Sequence, residues 1–233
     1  MREFDLIAVD VGNTRVKIGG FRQKNLQEVT YWNPGEPLPN FYGTVGHIVS
    51  VSWNEDELME EIARMCNAWL IIRPNDPFHF PSNYRLLEMG MDRKMMVHAA
   101  QSISNFKSIL LVSLGTCMTM DWIDQHGIHQ GGRISPGWNM RLEGMHRQTK
   151  RLPLLEGEEA PLVGTYTQEA MQSGAFHGIL AEINDVFQQI QQKDPSLRLW
   201  CTGGDADIFV PYIHLPVEHH PHLVLHGLAH YHS

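Results

Sequence analysis

Two stretches of the chain are apolar without a polar break, and both end the same way. Leu6-Ile7-Ala8-Val9 predicts a strand buried on both faces. Asp10 follows, then Gly12-Asn13-Thr14, then a second apolar alternation at Val16 and Ile18. Strand, tight turn and strand predict a β-hairpin whose polar tip lies at one end of a buried sheet. Ile109-Leu110-Leu111-Val112 repeats the first run, with Gly115-Thr116 standing where Gly12-Asn13 stands. The same strand and glycine turn built twice predicts two related lobes, with both turns on one ligand.

The remaining pattern fills in an α/β chain. Thr44 to Val51 and Trp69 to Ile72 read as strands. Asn54 to Cys66 reads as a helix with Leu58, Ile62 and Met65 on one face and Asn54 as N-cap. Arg73 to Asn83 carries three prolines and reads as a loop. A helix is expected from Asp92 to Ser104. After the second turn, Asp121 to Arg133 suggests a hairpin around His126-Gly127, and Pro136 suits the first turn of a helix to about Met145. Arg147 to Tyr166 reads as loop. Thr167 to Gln192 is the longest helical pattern, with Met171, Ala175, Ile179, Ile183, Phe187 and Ile190 on one side. Leu197 to Cys201 reads as a strand running into Thr202-Gly203-Gly204, and Leu223 to Tyr231 as a closing helix. No Gly-, Ser- or Pro-rich linker separates independent domains; with the second run opening the second lobe, the expected division is into residues 1–107 and 108–233.

Composition narrows the function. A chain of 233 residues with 42% hydrophobic residues can build a sizeable core in one large domain or two lobes. A formal net charge of −8 argues against a nucleic-acid backbone as the main partner, and leaves room for a local cationic pocket for a small anion. No apolar run approaches a membrane span, and no apolar segment follows a basic start, so neither membrane nor leader is expected. Cys66, Cys117 and Cys201 are scattered and odd in number, which fits a reducing cytoplasm better than disulfides or zinc. Histidines crowd the tail at positions 214, 219, 220, 222, 226, 230 and 232. Their spacing matches no usual metal site, so an exposed cluster is expected.

The hairpin tip has the equipment for phosphate and Mg²⁺: backbone and side-chain donors at Gly12, Asn13 and Thr14, a positive charge at Lys17, and the carboxylate of Asp10. An ordinary hairpin with a Gly-Asn turn would look the same. Gly90-Met91-Asp92-Arg93 sets a carboxylate beside a guanidinium at a helix start. Arg93 could hold a substrate carboxylate and Asp92 could take a proton from a hydroxyl, or Asp92 could simply cap the helix. Gly131 to Gly137, GGRISPG, is a glycine-rich turn into a helix. Thr202-Gly203-Gly204 follows a strand, where a nucleotide base could lie flat.

The order of these motifs is more specific than any one of them: DVGNT, GMDR, LGTCMT, GGRISPG, GTYT with MQSG, then CTGGDAD. In that order, from Asp5 to about Leu228, the chain resembles the type III pantothenate kinases of the acetate and sugar kinase, heat-shock ATPase and actin superfamily. The resemblance implies an α/β fold of two ribonuclease-H-like lobes facing each other across a nucleotide cleft. It implies a cytoplasmic homodimer that phosphorylates pantothenate to 4'-phosphopantothenate with ATP, the first step towards coenzyme A. By the same resemblance, Asp10, Val11, Gly12, Asn13, Thr14, Arg15, Val16 and Lys17 form the phosphate loop, with Asp10 near Mg²⁺ and Thr116 also on ATP. Gly90, Met91, Asp92 and Arg93 hold pantothenate, with Asp92 as general base. Tyr84 and Thr167 also touch pantothenate, Thr167 from the partner subunit. Ser113 stands where the family has an Asp that binds a monovalent cation (K⁺ or NH₄⁺). Weak or no activation by K⁺ is therefore expected, unless another carboxylate such as Asp121 or Asp124 takes over. Cys117 replaces the usual Ala, and the Tyr84 to Gly90 loop lacks a proline. Competing readings are a non-catalytic nucleotide-binding regulator on the same fold and a kinase of another small hydroxy acid.

Overall fold

In the computed structural model, which describes residues 2–12, 16–50, 55–78, 80–104 and 108–231, the run Leu6–Val9 lies within β1 (Arg2–Val11). Ile7, Ala8 and Val9 are fully buried, as an unbroken apolar run requires of a central strand. β2 (Val16–Arg22) pairs antiparallel with β1, from Leu6 against Phe21 to Val11 against Val16. β3 (Asn25–Trp32) continues antiparallel on β2. β4 (Phe41–Ser50) runs parallel along the other side of β1. α1 (Glu55–Ile62) leads through a short 3-10 turn, Ala63–Met65, into β5 (Cys66–Ile72), parallel to β4. α2 (Met91–Ile103) follows the proline loop. The sheet order is β3-β2-β1-β4-β5.

The second run repeats this plan. β6 (Ile109–Leu114) pairs antiparallel with β7 (Cys117–Ile123), which pairs antiparallel with β8 (His129–Pro136). α3 (Trp138–Gln148) and α4 (Thr167–Gln191) precede β9 (Arg198–Thr202), which runs parallel to β6. α5 (Ala206–Phe209), β10 (Val217–His219) parallel to β9, and α6 (Leu223–His230) close the chain. The order β10-β9-β6-β7-β8 is the first sheet's order read from its other edge, with the same strand directions. The repeat seen in sequence is thus a repeat of topology, and each unit is ribonuclease-H-like. Leu110, Val112, Leu114, Met118 and Met120 of the second sheet pack in one core with Phe176, Ile179, Ile183 and Phe187 of α4.

By its contacts the chain forms two units, Met1–Asn105 with His222–Ser233, and Phe106–Pro221. The expected second lobe, 108–233, therefore loses its tail to the first unit. Leu223, Leu225 and Leu228 of α6 are buried there, and the Leu228 carbonyl lies 2.7 Å from His47 Nδ1 of β4. An apolar helix with one polar stripe has to cover a sheet face, and the first unit supplies it. This also corrects the expectation of an exposed histidine cluster. His220 stacks on Trp200 with ring centroids 3.8 Å apart, and His226 meets Phe21 edge to face at 5.7 Å. His214 is exposed, and His232 lies outside the described residues. Among the described residues no group of three His, Cys, Asp or Glu is placed to hold a metal ion.

Other differences are local. Pro136 ends β8 instead of opening a helix, because it pairs with Cys117 at the end of an edge strand where a missing N–H is tolerated; Gly137 is the N-cap of α3. Cys66 opens β5 instead of closing α1. Asn54, expected as the cap of α1, lies outside the described residues. β3 and β10 were not expected. β3 is an edge strand only half buried, and β10 has three residues, too short for a pattern to show.

Candidate active site

Asp10 is the second-last residue of β1 and stands opposite Lys17 in the hairpin register. The Lys17 ammonium lies 3.6 Å from its carboxylate. Asp10 is only 6% exposed, and burial pushes its carboxyl above the ordinary value, against the pull of Lys17. Asp92 pushes it up further. Asp92 therefore belongs to the same electrostatic neighbourhood, although 82 residues separate the two in sequence. Two carboxylates against one ammonium leave a negative surplus in a poorly hydrated place, which fits a divalent cation. Val11 and Val16 are fully buried, so their side chains serve the core. Asn13, Thr14 and Arg15 lie outside the described residues.

α2 starts at Met91, with Gly90 as an extended N-cap and no side-chain cap bond. Asp92 is therefore not the N-cap. It sits in the first turn, where the helix terminus favours a carboxylate. Met91 points into the core. Arg93 is 3% exposed, and its guanidinium lies 5.0 Å over the ring of Tyr84. Tyr84 is fixed by Ser82, whose hydroxyl accepts the Tyr84 N–H at 3.0 Å. Four sequence-predicted residues are thus brought together in one unit: Asp10 and Asp92 in one electrostatic neighbourhood, and Tyr84 against Arg93.

In the second unit three motifs meet at one end of the sheet. Thr116 is exposed at the tip between β6 and β7, and its carbonyl accepts the Gly137 N–H at 3.1 Å. A side-chain carbon at Gly137 would run into the Gly115 carbonyl and lie 2.6 Å from that of Thr116. Gly203, at φ +101°, presses on the Leu114 backbone, and the Asp205 N–H donates to the Leu114 carbonyl at 3.1 Å. In the sequence Gly137 closes the glycine-rich turn GGRISPG and Gly203 is a flat surface for a nucleotide base; the approach of the three motifs gives both glycines a packing part as well. Thr167 is exposed and opens α4. Leu162, Val163 and Tyr166 beside it are 72%, 76% and 61% exposed.

Ser113 lies across from Thr119 on one side and Thr202 on the other, so three hydroxyl side chains share a row on one sheet face. The Thr119 hydroxyl is buried and has no hydrogen-bond partner among the described residues. Neither carboxylate that could have replaced the missing Asp stands here. Asp121 is opposite Leu111 and is buried against His129 Nε2 at 2.8 Å. Asp124 caps the far hairpin turn by accepting the N–H groups of His126 and Ile128. The donor set at Ser113 consists of neutral hydroxyls, which offer a cation dipoles and not a full opposite charge.

A sequence model of the type III pantothenate kinase family matches residues 6–189. A type III pantothenate kinase of Flavobacterium psychrophilum is 32% identical over 214 residues, 87% of this chain and 88% of that one. One from Porphyromonas gingivalis is 30% identical over 241 residues, 97% of this chain and 96% of the relative. Among solved structures, a Baf family protein from Campylobacter jejuni shares the fold, with a TM-score of 0.66 at 21% identity over 95% of this chain and 94% of that one. The match spans both glycine turns and the α2 motif, and the chain belongs to the type III pantothenate kinase family.

Proposed function

We infer that this protein phosphorylates pantothenate with ATP, the entry step of coenzyme A biosynthesis. The observation that carries the reading, within a chain of this family, is the convergence of Asp10, Lys17 and Asp92 in the first unit. A regulator that only bound nucleotide would have no need for a second carboxylate beside the first.

In the reaction the primary hydroxyl of pantothenate attacks the γ-phosphorus in line. The new O–P bond forms as the bond to the β,γ-bridging oxygen breaks and ADP leaves. Asp92 accepts the hydroxyl proton, late in a loose transition state. The turn from Asp10 to Lys17 cradles phosphate oxygens with its N–H groups and the Lys17 ammonium. Asp10 holds Mg²⁺, which when bound neutralises charge on the phosphates. By the family resemblance Thr116 also binds ATP. Arg93 and Tyr84, with the backbone at Gly90 and Met91, bind pantothenate. Thr167 reaches the acceptor from a second copy of the chain in a homodimer, and the exposed Leu162, Val163 and Tyr166 beside it support an interface there. Activation by K⁺ is weak or absent, since hydroxyl dipoles at Ser113 replace a full opposite charge. By the family resemblance the enzyme works in the cytoplasm.

A coupled ADP-release assay with Mg²⁺, run on pantothenate and on a panel of sugars and hydroxy acids, tests the reading. Turnover is expected with pantothenate, with little change across a K⁺ titration. Asp92→Asn is expected to lower it by about 10²–10⁴-fold while pantothenate still binds. Turnover only with another acceptor would make this a different hydroxy-acid kinase. ATP binding without any turnover would leave the regulator.

A further inference from the structure

Lys94 follows Arg93 on α2 and is 1% exposed. Taking an ammonium out of water is costly unless partners meet it. Its partners all come from one loop. Lys94 Nζ donates to the Pro74 carbonyl at 2.8 Å and lies 5.2 Å from the Phe78 ring centroid. Asp76 of the same loop supports the charge, against the burial that pulls the group below the ordinary lysine value.

The loop is also held from the other side. The Tyr231 hydroxyl, just after α6, donates to the Pro77 carbonyl at 3.4 Å, and its ring lies 5.4 Å from Phe78. The loop's downstream end delivers Tyr84, whose ring lies under Arg93 at 5.0 Å. Two neighbouring residues of α2 thus hold opposite ends of one loop, Lys94 its start and Arg93 its end. A lysine that served only as filler could be replaced by an apolar side chain of equal length without loss. What the ammonium adds is a directed bond to one carbonyl, which fixes where the loop begins.

We propose that Lys94 is a positioning residue for the acceptor: by anchoring the loop from Pro74 to Phe78 it holds Tyr84 against Arg93, and so sets the affinity for pantothenate without touching it. The inference rests on the reading of Tyr84 and Arg93 as pantothenate-binding residues. Lys94→Met keeps the stem and removes the donor. Initial rates with each substrate varied in turn should show KM for pantothenate raised about tenfold, kcat within about twofold, and KM for ATP unchanged. Amide hydrogen exchange should quicken across residues 73–84. Tyr231→Phe, which frees the Pro77 carbonyl, should shift KM for pantothenate in the same direction by about two- to threefold, and decides the matter by the same criterion if Lys94→Met does not fold. An unmoved KM for pantothenate, or KM values for both substrates rising together, would overturn the role. Wild-type enzyme that turns over pantothenate, with variants whose KM is unmoved, ends this inference alone. Wild-type protein without such turnover ends the functional reading and this role with it.

Discussion

Asp10 shows at the scale of one residue how function strains a fold. Burial and Asp92 together hold its carboxyl above the ordinary value of 3.8, so the native state binds that proton more tightly than the unfolded chain does. Stability therefore falls as pH rises from 3.8 through the folded-state value, and above it the ionised Asp10 weighs against the fold. Lys17, at 3.6 Å and a quarter exposed, offsets only part of this. Asp10→Asn should accordingly melt at a higher temperature than the natural chain at pH 7 to 8 in metal-free buffer with chelator. The gain should fade as the pH falls through the folded-state value and be gone below 3.8, and the variant should lose turnover. Lower melting at pH 8 would mean that the pair with Lys17 outweighs the burial.

Elements meet most closely where β6, the start of α3 and the end of β9 come together. Gly137 lies so near the Gly115 and Thr116 carbonyls that no side chain fits, and backbone cannot step aside as a flexible side chain can. Gly137→Ala should destabilise the protein by about 1–3 kcal/mol, and should raise KM for ATP by displacing Thr116. Gly144 is the control on the same helix, since nothing lies within 4 Å of a carbon added there. Gly144→Ala should stabilise by about 0.5–1 kcal/mol without touching kinetics. Chemical denaturation of both variants, with ATP-dependent rates, checks the pair. If Gly137→Ala were as benign as Gly144→Ala, the contact between the turns would carry no weight. The motifs at this junction were each readable in sequence. That Gly137 belongs to the Thr116 turn was not, because the two stand 21 positions apart with a hairpin between them.

On the scale of the whole molecule, an exposed apolar stretch at Leu162, Val163 and Tyr166 next to Thr167 is a surface that water does not favour. If Thr167 serves a neighbouring subunit, Asp92→Asn and Thr167→Arg homodimers should each be inactive, and an equal mixture after subunit exchange should recover about a quarter of natural activity. That fraction follows if half the dimers are mixed and each mixed dimer has one intact site. A mixture that stays inactive, with exchange demonstrated by labelled subunits, would place both residues in the same subunit's site.

The sequence by itself determined the two central strands, the glycine turn between β6 and β7 and the long α4 stripe. Each of these is a local pattern, set by unbroken or periodic burial that a linear chain displays directly. Met171, Ala175, Ile179, Ile183 and Phe187 are all buried as the spacing required. Leu58, Ile62 and Met65 are buried as the α1 pattern required. The order of the motifs along the chain also marks the family. Tertiary structure alone decided which distant residues share a neighbourhood. It set Asp92 beside Asp10, put Tyr84 under Arg93, and buried Lys94 against the Pro74 carbonyl. It also sent α6 back to the first unit, because burial of an apolar helix face depends on which sheet lies uncovered, and not on which segment comes before it in the chain.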